Sequence, residues 1–184
     1  MKNARIFFLE ILMSWLLLGC ERDEPTTGSG SIHQKILFQY EYINYAWGMQ
    51  HMGWLIDSSG KVYSYHLPPA WNFCNESGSI TAAAMDENLA ATDSISYRID
   101  KAALISMYDL IEGASEGPVT EPEHRMCDAG VSIYSAYQYD PVFRIYKMVT
   151  IKQIGDFFID NKSPEAEVIF RWLQIIHTDI SIPK

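Results

Sequence analysis

The sequence predicts an α+β fold, a mainly antiparallel sheet of about five strands with about three helices packed on one face. Three observations carry that prediction. Runs rich in aromatic and β-branched residues fall in two blocks, one between Ile36 and Tyr65 and one between Val131 and Ile151. Helical periodicity occupies the middle and the C-terminal end of the chain. Strand and helix do not alternate throughout, as a parallel sheet would require.

The first block reads as three antiparallel strands. Ile36 to Tyr45 suits a pleated surface, and Trp54 to Ile56 and Val62 to Tyr65 flank Asp57-Ser58-Ser59-Gly60, a hairpin turn with glycine at its end. Gly48 and Gly53 bracket Met49-Gln50-His51-Met52, which predicts a turn or bulge in the first connection. Thr81 to Ala91 is rich in helix-forming Ala, Met, Glu and Leu, with Ser79 as the expected cap. After Asp100, Leu104, Ile105, Tyr108 and Ile111 recur at three- and four-residue steps and predict a second helix ending before Gly113. Gly117, Pro118 and Pro122 make Glu112 to Asp128 an irregular excursion.

Val131 to Tyr139 and Phe143 to Ile151 form the second strand block, separated by the turn signal Asp140-Pro141. Ser163-Pro164 is an N-cap followed by a first helical proline, and Ala166, Ile169, Phe170, Leu173 and Ile176 then form one apolar stripe.

The N-terminal segment has a different character. Lys2 and Arg5 precede an apolar run that ends in Leu17-Leu18-Gly19-Cys20, the pattern of a bacterial lipoprotein signal covering residues 1 to 19. Cys20 is then the lipid-bearing first residue of the mature chain, which places the protein in the cell envelope, anchored through lipid to the outer membrane and facing the periplasm or the surface. An ordinary signal peptide is the plainer alternative. Glu10 leaves only Ile11 to Gly19 uninterrupted, well short of the roughly 20 residues that a membrane span needs. Residues 20 to 31 carry the anchor and a polar Pro-Thr-Thr-Gly-Ser-Gly-Ser tether, leaving 32 to 184 as a single globular domain.

Removing residues 1 to 19 takes away Lys2, Arg5 and Glu10 and moves the formal net charge from −9 to −10. Such an acidic chain lacks the basic footprint that nucleic acid or anionic lipid attracts. Once Cys20 carries lipid, Cys74 and Cys127 form an even pair in an oxidising compartment and predict a disulfide. That bond would contribute about 4 kcal/mol in the chain-entropy model. A reactive cysteine paired with a histidine is the rival reading, without a CxxC or nucleophile signature around either residue.

His51, His66, His124 and His177 lack HExxH or another ligand spacing, so neither a metal nor a cofactor is expected, and His177 reads as a cation at a helix end. There is no phosphate loop or dinucleotide fingerprint. Asp128 and Asp156 flank neighbouring strand ends and would approach each other in a suitable register. Paired carboxylates serve glycoside hydrolysis, but turn capping explains both more simply.

The abundant aromatics supply the remaining functional signal. One sheet face must cover the helices, while the other is expected to expose part of the set Trp47, Trp54, Tyr63, Tyr65 and Trp71, a surface suited to sugar rings, peptides or a protein. The competing expectation is that these rings pack across strands and against loops. Tyr45-Ala46-Trp47-Gly48, Asp57-Ser58-Ser59-Gly60-Lys61-Val62-Tyr63, Gly155-Asp156, Ser163-Pro164-Glu165-Ala166 and Trp172-Leu173 resemble stretches of uncharacterised envelope lipoproteins of Gram-negative bacteria. That resemblance implies an envelope location, carries no known activity and transfers no functional residue. A non-enzymatic domain binding a glycan, peptide or protein is the leading expectation. An envelope hydrolase and a structural subunit of an envelope complex are the alternatives.

Overall fold

A computed structural model describes residues 31–180. The signal segment, Cys20 and the tether up to residue 30 lie outside the described residues. Strands β1 (Ile36–Asn44), β2 (Gln50–Asp57) and β3 (Lys61–His66) open the domain, followed by β4 (Ser79–Thr81), helix α1 (Ala82–Ala90) and β5 (Asp93–Arg98). Helices α2 (Lys101–Tyr108) and α3 (Ile111–Glu116) lead to β6 (Glu123–His124), β7 (Val131–Asp140), β8 (Ile145–Gly155), β9 (Phe157–Asp160) and α4 (Pro164–Asp179). The nine strands form an antiparallel sheet ordered β5-β3-β2-β1-β7-β8-β9-β6, with β4 also paired to β8. The α+β class and mainly antiparallel pairing follow the sequence reading, and the strand count exceeds the expected five.

Long strand β8 explains part of the excess. Its first residues pair with β4 through Ile80 and Tyr146, and its later residues pair with β9 through Lys152 and Asp160. One outer edge is thus covered by two short strands, each too brief to leave a clear period-two pattern.

Helices α2, α3 and α4 cover one sheet face. Leu104, Ile111, Ala114 and the α4 stripe pack there against Phe38, Tyr40, Trp54, Ile56, Tyr134 and Ile151. The α4 stripe is buried at all five expected positions. Ser163 caps the helix, its hydroxyl accepting from Ala166 N at 3.0 Å, and Pro164 follows where its missing N–H costs nothing. Helix α1 lies on the opposite face with Met85 against Ile36, Leu55 and Tyr137, so the helices do not all share one side. Its cap is Thr81, accepting from Ala84 N at 3.1 Å, because Ser79 is drawn into β4.

Three other local expectations change. Gln50 to Met52 belong to β2, and Gly53 sits inside that strand, where a Cβ would lie 2.1 Å from Tyr40 O and 2.6 Å from the Tyr65 hydroxyl. The glycine therefore makes room for the Tyr65 ring directly opposite it. Helical structure resumes after Tyr108 and runs past Gly113 to Glu116. The expected irregular excursion is interrupted by β6.

Asn161 ties these layers together at a position that carries no sequence signal. Its Nδ2 donates to Ala114 O at 2.7 Å and Thr150 O at 3.0 Å, while Oδ1 accepts from Ser163 N at 3.1 Å. One side chain thereby joins α3, β8 and the start of α4. Among the described residues no helix is long and apolar enough to cross a membrane.

Candidate functional site

The expected aromatic set does not form one surface. Trp54 points to the helix-covered face and is fully buried, packed with Tyr40. Tyr65 lies on the other face, also buried, with Trp71 stacked on it at 4.0 Å between ring centroids. Tyr63 is half-buried and donates to Asp57 Oδ2 at 3.0 Å. Trp47 alone stands free, 82% exposed in the β1–β2 connection. Most of the sheet aromatics thus pack across strands and under loops.

Beneath the loop carrying Trp71 lies a buried polar cluster. His51 Nε2 meets Glu41 Oε1 at 2.7 Å inside a ring of Tyr65, Trp71 and Phe73. Gln39 Nε2 donates to the Tyr65 hydroxyl at 3.0 Å, and the Tyr137 hydroxyl donates to Gln39 Oε1. The loop is held over them by Asn88 of α1, whose Oδ1 accepts from Asn72 N and whose Nδ2 donates to Asn72 O, both at 2.7 Å. Burial pushes the Tyr65 and Tyr137 hydroxyls well above their ordinary range and raises the Cys74 thiol to about 11, with the Glu41 charge adding to each. Cys74 is therefore a neutral thiol at physiological pH, the wrong form for a nucleophile. The arrangement suits holding a loop rather than moving protons.

Cys74 and Cys127 are free thiols, which corrects the expected disulfide. Cys74 packs under the loop beside Met85 and Tyr137, whereas Cys127 is exposed beyond β6 near the β7–β9 edge. An even cysteine count in an oxidising compartment says nothing about whether the two side chains face one another. Cys127 Sγ instead lies 3.8 Å from His124 Nε2. Both residues are open to water, so the pair lacks the enclosing walls that strengthen catalytic electrostatics.

Asp128 and Asp156 do come together at one end of the sheet, but as turn-forming residues. The Asp156 carboxylate accepts from Ala129 N at 2.9 Å and Gly130 N at 3.2 Å, and Asp128 adopts a positive φ of 61°. With its oxygens committed to backbone amides, Asp156 fixes the start of β7 instead of acting as an acid or base. His177 is not a simple helix-end cation either. Its ring lies 4.2 Å from that of Tyr40, and burial lowers its pKa.

The same end of the sheet gathers several of the exposed apolar side chains. Tyr45, Trp47 and Met49 occupy the β1–β2 connection, Leu67 follows β3, and Met126 and Phe157 border the β7–β9 end. Between Tyr45 and Phe157 runs a groove of about 440 Å³, lined also by Ile43, Ala46 and Val131 with Asn44, Asp128 and Asp156. Asn44 and Asp156 already have partners, Asn44 Nδ2 donating to Tyr42 Oη and Asp128 O, both at 3.1 Å, whereas the Asp128 carboxylate and the Tyr45 hydroxyl make no hydrogen bond among the described residues. What the groove offers a visitor is mainly apolar and aromatic surface, with the Asp128 carboxylate at its edge. Sequence reasoning singled out Trp47 but placed the aromatic surface on a sheet face. Two further cavities, near α3 and the β7–β8 hairpin, have mixed polar linings.

No protein-family model, curated protein or solved structure matches this chain.

Proposed function

We propose that the protein is a lipid-anchored component of the cell envelope, held through Cys20, whose domain binds a peptide or protein partner at the aromatic end of its sheet without catalysing a reaction. The carrying observation is an apolar groove lined by Tyr45 and Phe157 at that end, with Trp47 and Met49 exposed in the same β1–β2 connection. Exposed apolar surface of this kind marks interaction sites on otherwise polar domains. A sugar ligand needs several donors and acceptors beside its aromatic platform, and with Asn44 and Asp156 used internally the groove's side chains leave it the Asp128 carboxylate and the Tyr45 hydroxyl. A peptide presenting apolar side chains makes fewer such demands.

The test is a photo-crosslinking amino acid placed at position 47 in the full chain, with the same group at position 175 on exposed α4 as comparison. The proposal expects a discrete envelope adduct from 47 and none from 175. Identical adduct patterns from both positions would remove the case for a site at this end.

A further inference from the structure

The opposite end of the sheet also departs from an ordinary polar surface. Strands β1 and β7 are antiparallel, so the start of β1 lies where β7 finishes. Gln34 secures this corner, its Nε2 donating to Ile36 O at 2.7 Å and Tyr137 O at 2.6 Å while its Oε1 accepts from Tyr139 N at 3.1 Å. The chain coming from Cys20 therefore joins the domain beside the β7–β8 turn.

That turn presents two adjacent apolar side chains to solvent, Val142 at 81% and Phe143 at 74% exposure. Its backbone is well held. Asp140 Oδ1 accepts from Val142 N at 2.9 Å and Phe143 N at 3.1 Å, and Arg144 O accepts from Ala82 N at the start of α1 at 2.8 Å. We propose that the Val142–Phe143 tip seats in the interfacial layer of the lipid bilayer to which Cys20 is anchored, so that the domain stands on its tether end with the aromatic groove facing away.

This inference rests on the lipid-anchor reading of Cys20, and chain reach connects the two. Residues 21 to 31 between the anchor and the domain span at most about 38 Å when fully extended, and about 20 Å as a coil. Ten-residue β7 places the Trp47 end roughly 30 Å beyond the tip. The bilayer is thus the large apolar phase that the anchor holds nearest to Val142 and Phe143. Charge around the tip is mixed, with Asp109, Glu112 and Asp140 set against exposed Arg144 in the turn itself and Lys147 along the adjoining cavity. Such a surface has no preference for anionic lipid, so apolar contact must drive the insertion.

The experiment places an environment-sensitive fluorophore on Val142→Cys, or on Trp47→Cys for comparison, in the full lipidated chain carrying Cys127→Ser. Half-buried Cys74, with its thiol raised to about 11, reacts slowly, and the labelled parent gives the background. Vesicles of phosphatidylethanolamine and phosphatidylglycerol are the probe. Emission from 142 should shift to the blue and be quenched by nitroxides on the acyl chains, independently of phosphatidylglycerol content, whereas emission from 47 should do neither. Adding Phe143→Ser should abolish the shift. A chain that incorporates labelled palmitate and floats with vesicles, yet reports water at 142 as at 47, overturns the tip proposal alone. A chain that neither incorporates palmitate nor floats overturns the anchor reading, and the orientation with it.

Discussion

Replacing Asn161 with alanine should destabilise the domain far more than its polar character implies. The residue is 4% exposed, and its three hydrogen bonds end on backbone groups of three different elements. Alanine leaves Thr150 O and Ser163 N without this partner, and Ala114 O with only the Gly117 N–H at 3.3 Å. A buried backbone group deprived of its hydrogen bond costs about 1–3 kcal/mol. Thr150 O is only partly buried and recovers water, and Ala114 O keeps its second donor, so the loss comes mainly from Ser163 N with a smaller share from Ala114 O, for a total of about 2–4 kcal/mol. Misplacing Ser163 also weakens the α4 cap. Urea unfolding at neutral pH reads the change as a lower midpoint at unchanged slope. Asn161→Asp supplies a control: its carboxylate would face two carbonyl oxygens, so it should be strongly destabilising at pH 7 and partly recover at low pH, where a protonated acid can donate. A loss below about 1 kcal/mol for Asn161→Ala would refute the reasoning, because it would mean that the freed groups are not truly shut off from water.

Other predictions concern packing, protons and thiols. Gly53→Ala should cost about 1–3 kcal/mol, because its methyl meets the Tyr40 backbone oxygen as well as the Tyr65 ring; thermal unfolding at or above the wild-type midpoint would contradict that crowding. Burial lowers the folded-state pKa of His177, so the unfolded chain takes up a proton first as pH falls; stability should decline below about pH 6.5, and His177→Gln should flatten that decline in urea midpoints measured across pH. Asp160 acts at lower pH: burial raises its pKa, but Lys162 and Lys152 outweigh that and hold it below the ordinary value, so its stabilisation is present above about pH 4 and disappears as pH falls through the depressed folded value. Thiol titration of the unreduced chain should find Cys127 fast and Cys74 only on unfolding, and recovering neither thiol in denaturant would restore the disulfide.

Legibility in the sequence tracked the strength of local physical constraints. Strands β1 to β3, β7 and β8 carry long aromatic and β-branched runs, and α4 announces itself through Ser163-Pro164 and a stripe that must be buried somewhere. Strands β4, β6 and β9 are stabilised by pairing with β8 or with each other, a long-range circumstance that two to four residues cannot encode. Strand β5 did leave a trace, the alternating Ile95 and Tyr97, obscured by intervening serines. The aromatic side chains were visible from the start, but which of them remain exposed depends on α1 and the Trp71 loop closing over a face that composition alone leaves open. Cys74 and Cys127 sit on the α1-side loop and beyond the β6 edge, a separation set by the tertiary fold that neither cysteine count nor compartment encodes.

The central claim is that the Trp47 end of the sheet binds a partner while the domain itself performs no reaction. The most direct measurement is thermal unfolding of the purified chain and of its Trp47→Ala variant against a panel of envelope peptides, proteins and glycans. A partner at a hundredfold over its dissociation constant should stabilise the wild type by about 2.7 kcal/mol, with the shift lost in the variant while its own midpoint stays unchanged. An equal shift in both proteins, or stabilisation by glycans alone, would contradict the account.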